Sequence, residues 1–119
     1  MLIRDLQQCD EFIAGDNTIL RELLHPDKQD INLRYSLAHA VLKPGKTSQP
    51  HRLKTSEVYY ILEGEGLMHI DGETKPVLPG HAVYIPPMAN QFIKNTGAVD
   101  LKFICIVDPA WRKEDEQIL

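Results

Sequence analysis

The chain has 119 residues, 43% of them hydrophobic, which is enough for one buried core and too little for a second domain. Thirteen basic residues against seventeen acidic ones leave a net charge of −4, and no run of Lys or Arg could neutralise successive phosphates, so nucleic acid and anionic membrane are poor partners. No apolar run approaches the roughly 18 residues of a membrane span, and acids and glutamines interrupt the opening MLIRDLQQCDEF where a signal peptide needs apolar residues, so the expected location is the cytoplasm.

Helical periodicity is scarce. Short β-branched and aromatic runs recur instead about every ten residues, separated by Gly, Pro, Asn and Asp, which is the spacing of an all-β sandwich or barrel. In chain order the predicted strands are TILRELL (18–24), LRYSLAHAVL (33–42), EVYYILEG (57–64), GLMHID (66–71), KPVLP (75–79), HAVYIP (81–86), NQFIKN (90–95) and LKFICIVD (101–108). Pro44-Gly45, Gly64-Glu65-Gly66, Asp71-Gly72, Pro79-Gly80 and Asn95-Thr96-Gly97 supply the fixed or positive φ of tight reversals, which implies antiparallel pairing. After the last strand, Asp108-Pro109-Ala110-Trp111 followed by RKEDEQ predicts a short C-terminal helix with an Asp cap and Pro in its first turn. Cys9 and Cys105 lie far apart with no CxxC spacing and read as free thiols.

Successive strand residues face opposite sides of a sheet. In LKFICIVD, Leu101, Phe103, Cys105 and Val107 share one face, and Lys102 marks the other as outward, leaving Ile104 and Ile106 as apolar residues outside the barrel. Such residues often end in a subunit contact, and a homodimer is expected.

His51 and Glu57 are the candidate site residues of the GKTSQPHRLKTSEVYYILEGEG stretch. On one straight strand they would stand about 20 Å apart at roughly 3.3 Å per residue, so the chain has to turn at Lys54-Thr55-Ser56 to bring both to one cavity wall. With that turn, Gly45, His51, Glu57 and Gly64 resemble the first motif of the cupin superfamily, Gly, five residues, His-x-His, three or four residues, Glu, six residues, Gly. The second motif ends Pro-x-Gly-x-x-His-x-x-x-Asn, and residues 86–95 match it with Met88 in place of the Gly and Gln91 in place of the His.

The resemblance, with motifs at 45–64 and 79–95, implies one cupin domain over residues 1–119. The expected fold is a double-stranded β-helix, or jelly-roll barrel, usually dimeric, with its site inside. It also implies a divalent metal, Mn, Fe, Ni or Zn, on His51, Glu57 and Gln91. Two of the four ligand positions are changed, however. Leu53 has no donor and makes that wall apolar, and Gln91 offers only a neutral amide oxygen, so a weak site is expected. The metal-free alternative is that His51 and Glu57 hydrogen-bond each other in a polar pocket.

His39 is the candidate extra ligand. Its face, with Leu33, Tyr35, Leu37 and Val41, is the more apolar and by burial should turn inward, whereas the cupin register turns Ser36, Ala38 and Ala40 inward and makes His39 an interface residue. Tyr59 shares Glu57's parity and offers a phenol to the cavity, or simply packs. His69 and His81 read as exposed, His25 as a loop or strand-end residue, and Cys105 as a small core residue. Nothing fixes the direction of Arg21 and Glu22.

Two functional classes follow. One is an enzyme acting on a small polar organic molecule through a metal with open positions, or through His51 or Glu57 as a general base. The other is a non-enzymatic module that binds such a molecule without metal, and the fold does not choose between them.

Overall fold

The computed structural model describes residues 1–119. The strands are β1 (Glu11–Ile13), β2 (Ile19–Leu24), β3 (Ser36–Leu42), β4 (His51–Leu53), β5 (Ser56–Glu63), β6 (Gly66–Ile70), β7 (Glu73–Val77), β8 (Ala82–Ile85), β9 (Gln91–Asn95), β10 (Leu101–Asp108) and β11 (Glu116–Ile118). They form two sheets, in the orders β1-β2-β3-β10-β5-β8 and β11-β4-β9-β6-β7, and the pairing within both is antiparallel. No helix is long and apolar enough to cross a membrane.

Alternation places the side chains as expected on β10, where Leu101, Phe103, Cys105 and Val107 are buried between the sheets and Lys102, Ile104 and Ile106 lie on the outer face. On β3 the register decides. Ala40 pairs with Phe103 and Ala38 with Cys105, so the small residues face inward, while His39 pairs with Ile104 on the outer face. The core between the sheets includes Phe103, Ile61, Ile85, Ile93 and Leu101, each with almost no exposed surface. Apolar burial of this kind supplies most of the folding free energy.

The outer face of the first sheet stays apolar across several strands. Leu37, Val58, Ile104 and Ile106 are half-buried there, and Tyr60 and Tyr84 are 46% and 63% exposed.

Two tight positions show how turns fix the frame. Gly64 has φ +82°, and a Cβ there would stand 2.6 Å from the Asp100 carbonyl oxygen, so no other residue fits. Met88, in the position where the second motif carries Gly, keeps the left-handed backbone at φ 66°. Its N–H donates to the Leu53 carbonyl at 2.7 Å, which ties that turn to β4.

After β10 the chain forms a single 3-10 turn, Lys113–Asp115, where a short helix is expected, and then enters β11. The Ala110 N–H donates to the Arg34 carbonyl at 2.9 Å and the Trp111 N–H to Ser36 Oγ at 3.0 Å. These donors are fixed to the segment around the start of β3, and β11 pairs with β4 instead.

Candidate functional site

Only Lys54 and Thr55 separate β4 from β5, and the two strands belong to different sheets. The expected turn is present, but it carries the chain from one wall of the barrel to the other, so His51 and Glu57 stand on opposite walls of one cavity and not on one wall. His51 and Leu53 face inward from β4, Glu57 and Tyr59 face inward from β5, and Gln91 of β9 lies opposite His51 in the ladder. Apart from Gln91, these residues line one cavity of about 260 Å³, which Cys105 and Phe103 of β10 also border.

Gln91 reaches across from the opposite sheet to Glu57 and Tyr59. Its Nε2 donates to Glu57 Oε1 at 3.1 Å, and its Oε1 accepts from the Tyr59 hydroxyl at 3.1 Å. Burial pushes the Glu57 carboxyl up to about 8, the Gln91 donor opposes that rise, and the charges of Asp16 and Glu116 add to it. Burial also pushes the Tyr59 phenol and the Cys105 thiol well up, with Glu57 adding to both. Both are therefore held as neutral groups.

His51 is bonded away from Glu57. Its Nδ1 lies 2.8 Å from the Gln49 carbonyl oxygen, which can only accept, so Nδ1 carries a proton and Nε2 of the neutral ring presents a lone pair. That nitrogen stands 3.8 Å from Asp16 Oδ2. Asp16 is fixed in turn, its Oδ1 accepting from the Thr18 N–H at 3.1 Å and from Thr18 Oγ1 at 2.7 Å. The direct His51 to Glu57 hydrogen bond of the metal-free expectation is thus replaced by separate partners for each.

His39 is not brought to this cavity. It lies on the outer face between Arg21 and Ile104, where burial, Lys102 and Arg21 all lower its pKa. Burial alone misplaces it because the outer face is itself apolar. Of the other candidates, His25 is tied down, its Nε2 donating to the Trp111 carbonyl at 2.7 Å while Nδ1 accepts from the Asp27 N–H at 3.0 Å. His69 stacks on Phe92 with ring centroids 4.1 Å apart, and His81 is exposed. Glu22 borders the cavity and holds Lys28 at 2.6 Å, whereas Arg21 faces out toward Glu11 at 3.8 Å.

Two cavity residues do not stand out in the sequence, Asp16 and Glu116. Asp16 has a local signal, an Asp two residues before Thr in a Gly-Asp-Asn turn, which announces the turn and not the direction of the free oxygen. Glu116 falls in the segment expected to be helical. Its Oε2 accepts from the Trp111 indole N–H at 2.9 Å.

The donors do not assemble into a metal cage. Nowhere do three His, Cys, Asp or Glu side chains converge to hold an ion. At the motif positions Leu53 is an apolar buried residue, Gln91 gives its oxygen to Tyr59, and one Glu57 oxygen is taken by the Gln91 amide. What is left is the His51 lone pair and the second oxygen of Glu57, too few donors for a firmly held divalent ion.

The family model for the Cupin domain matches residues 38–107, more than half of the chain. The chain belongs to the cupin family. A relative from Methanocaldococcus jannaschii, itself uncharacterised, is 43% identical to this cupin over 109 residues, covering 91% of this chain and 86% of its own. An oxalate-binding protein of Thermotoga maritima is 34% identical over 71 residues, which are 59% of each chain. Among solved structures, a predicted oxalate decarboxylase from Thermotoga maritima superposes with a TM-score of 0.80 at 22% identity, over 91% of this chain and 99% of its own, a likeness of fold. Cupins often bind divalent metals, and this cupin departs from that pattern at Leu53 and Gln91.

Proposed function

We propose that this cupin binds a small polar organic molecule inside the barrel and moves a proton on it, with Glu57 as the acid and His51 as the base. The observation that carries this reading is the opposed state of two groups lining one cavity. Glu57 holds its proton up to about pH 8, and the His51 Nδ1 contact with Gln49 leaves Nε2 as the ring nitrogen facing the cavity on the other side. A buried carboxyl that keeps its proton and an imidazole nitrogen without a hydrogen-bond partner, on one cavity, are suited to acid and base roles. His51 Nε2 would take a proton from a carbon or hydroxyl of the ligand while Glu57 gives one to a carbonyl or leaving oxygen. Asp16 Oδ2, 3.8 Å from Nε2, would steady the imidazolium that forms.

The test is proton exchange in deuterated water. A panel of small carbonyl and hydroxy compounds is incubated with the protein and read by proton NMR. Exchange with at least one compound, lost in His51→Ala and in Glu57→Gln, is the expected result. Binding without exchange across the panel identifies a non-enzymatic binding cupin instead, as the oxalate-binding relative is named.

Family membership favours a second reading, in which a divalent ion (Mn, Fe, Ni or Zn) sits weakly on His51 and Glu57. Elemental analysis of protein purified without chelator or affinity metal decides between the two. Two copies would meet through the apolar outer face of the first sheet, and the protein would work in the cytoplasm, where its free Cys9 and Cys105 stay reduced.

A further inference from the structure

The chemistry of the cavity is one-sided. Asp16, Glu22, Glu57 and Glu116 border it, against His51 and a single lysine, Lys28, which is held by Glu22 at 2.6 Å. With that pair set aside and Glu57 holding its proton, the charge left facing a ligand is that of the Asp16 and Glu116 carboxylates. His51, 3% exposed, turns an unpartnered Nε2 into the cavity, since its nearest charged neighbour, Asp16 Oδ2 at 3.8 Å, lies beyond hydrogen-bond range. Asp16 Oδ2 is itself left over after Thr18 has taken Oδ1. Glu116 keeps Oε1 after Trp111 has taken Oε2.

Such an array fits a group that only donates. Phe12, Tyr59, Phe103 and Trp111 border the same space, and aromatic rings attract cations while offering apolar surface to a ligand's body. At about 260 Å³ the cavity has room for roughly nine waters at their liquid share of about 30 Å³, the size of a compact organic molecule. We infer that the cavity selects a small organic cation, an ammonium group on a compact apolar body, over an organic anion or a neutral polyol. An ammonium brings three donors and no acceptor, and can give to His51 Nε2 and to Asp16 Oδ2, 3.8 Å apart, with the Glu116 carboxylate on the same cavity. A carboxylate ligand would instead meet the like charge of Asp16 and Glu116. The inference rests on the proposed binding cavity and adds the class of ligand to it.

The full-length protein is titrated with benzylamine, benzyl alcohol and benzoate at pH 7 by calorimetry, with amide shifts locating each probe. Benzylammonium should bind at least about tenfold more tightly than benzyl alcohol, and benzoate more weakly than either. Both binding probes should shift residues around His51 and Cys105. Asp16→Asn and Glu116→Gln, each checked for folding by thermal melt, should lower benzylammonium affinity by about tenfold and benzyl alcohol affinity by clearly less. Equal affinity for the amine and the alcohol, with shifts in the cavity, overturns the cation preference and leaves the binding cavity standing. Tighter binding of benzoate overturns it too. No cavity shift with any probe removes both the preference and the binding reading beneath it.

Discussion

Gln91 and Glu57 stand on opposite sheets of the barrel and are joined by one hydrogen bond, Nε2 to Oε1 at 3.1 Å, while the other end of the same amide takes the Tyr59 proton. The residue that occupies a metal-ligand position in the motif is thus a strut between two buried groups. Gln91→Leu strands the Tyr59 hydroxyl without an acceptor and Glu57 without its donor. It should destabilise the protein by about 1–3 kcal/mol in urea unfolding, since a buried polar group left unpaired costs that much. A neutral effect would show that both groups find other partners.

Glu57 gives the protein a pH dependence of definite sign. Its folded-state value of about 8 lies above the 4.5 of an unperturbed glutamate. Between these values the folded protein holds a proton that the unfolded chain has released, so stability falls as pH rises across that window and levels off above it. The groups acting on Glu57 are the carboxylates of Asp16 and Glu116 and the Gln91 amide. Glu57→Gln keeps an oxygen for Gln91 and has nothing to ionise. The variant should match the parent near pH 5 and exceed it near pH 8.5 by on the order of several kcal/mol, since each pH step across the window costs the parent about 1.36 kcal/mol. Parallel stability curves would contradict a raised Glu57.

Metal affinity should answer to the two altered motif positions. The parent protein should bind divalent metal at least about tenfold more weakly than Leu53→His combined with Gln91→His, which supplies two more imidazoles to the same cavity. His51→Ala should abolish binding. Competition against a chromogenic chelator measures all three, and a parent affinity equal to the double variant would mean that other donors, with Asp16 the nearest, already complete the site.

Met88 carries a strained backbone at φ 66° with a side chain that is 50% exposed. A left-handed conformation costs a non-glycine residue about 1–2 kcal/mol, and glycine's extra freedom in the unfolded chain returns part of that. Met88→Gly should therefore raise stability by about 0.5–1 kcal/mol in thermal or urea melts. A loss of stability would show that the Met88 side chain makes contacts worth more than the strain.

The outer face of the first sheet should bury itself against a second copy. Ile106→Lys, placed beside Leu37 and Val58 in the ladder, should shift the protein from dimer to monomer at micromolar concentration in sedimentation. A monomeric parent protein would contradict the pairing.

Alternation and turn residues made most of the barrel legible, because a half-buried strand must write its inside and outside into every second residue. Glu57 and Tyr59 share a parity, and His51 could be brought to them by the turn at Lys54-Thr55-Ser56 and the motif spacing. His39 could not be placed, since two opposed apolar faces on β3 make burial ambiguous and only the pairing with Ile104 settles it. Three-residue strands such as β1, β4 and β11 are too short to show a period. Asp16 and Glu116 hang on such segments, so their meeting with His51 depends on tertiary packing with no local trace.

The strand that bears His51 touches β9 through a single residue pair and is otherwise bordered by β11, whose residues 116–118 lie opposite Leu53, Arg52 and His51. These two strands are distant in sequence, and pairings of that kind form late because the intervening chain must be ordered first. During synthesis the wall carrying Glu57 and Tyr59 can begin to pair with β8 well before the opposite wall has its neighbour. The wall of the cavity that carries His51 is therefore closed by two contacts between distant stretches of chain, the single pair with β9 and the ladder with β11.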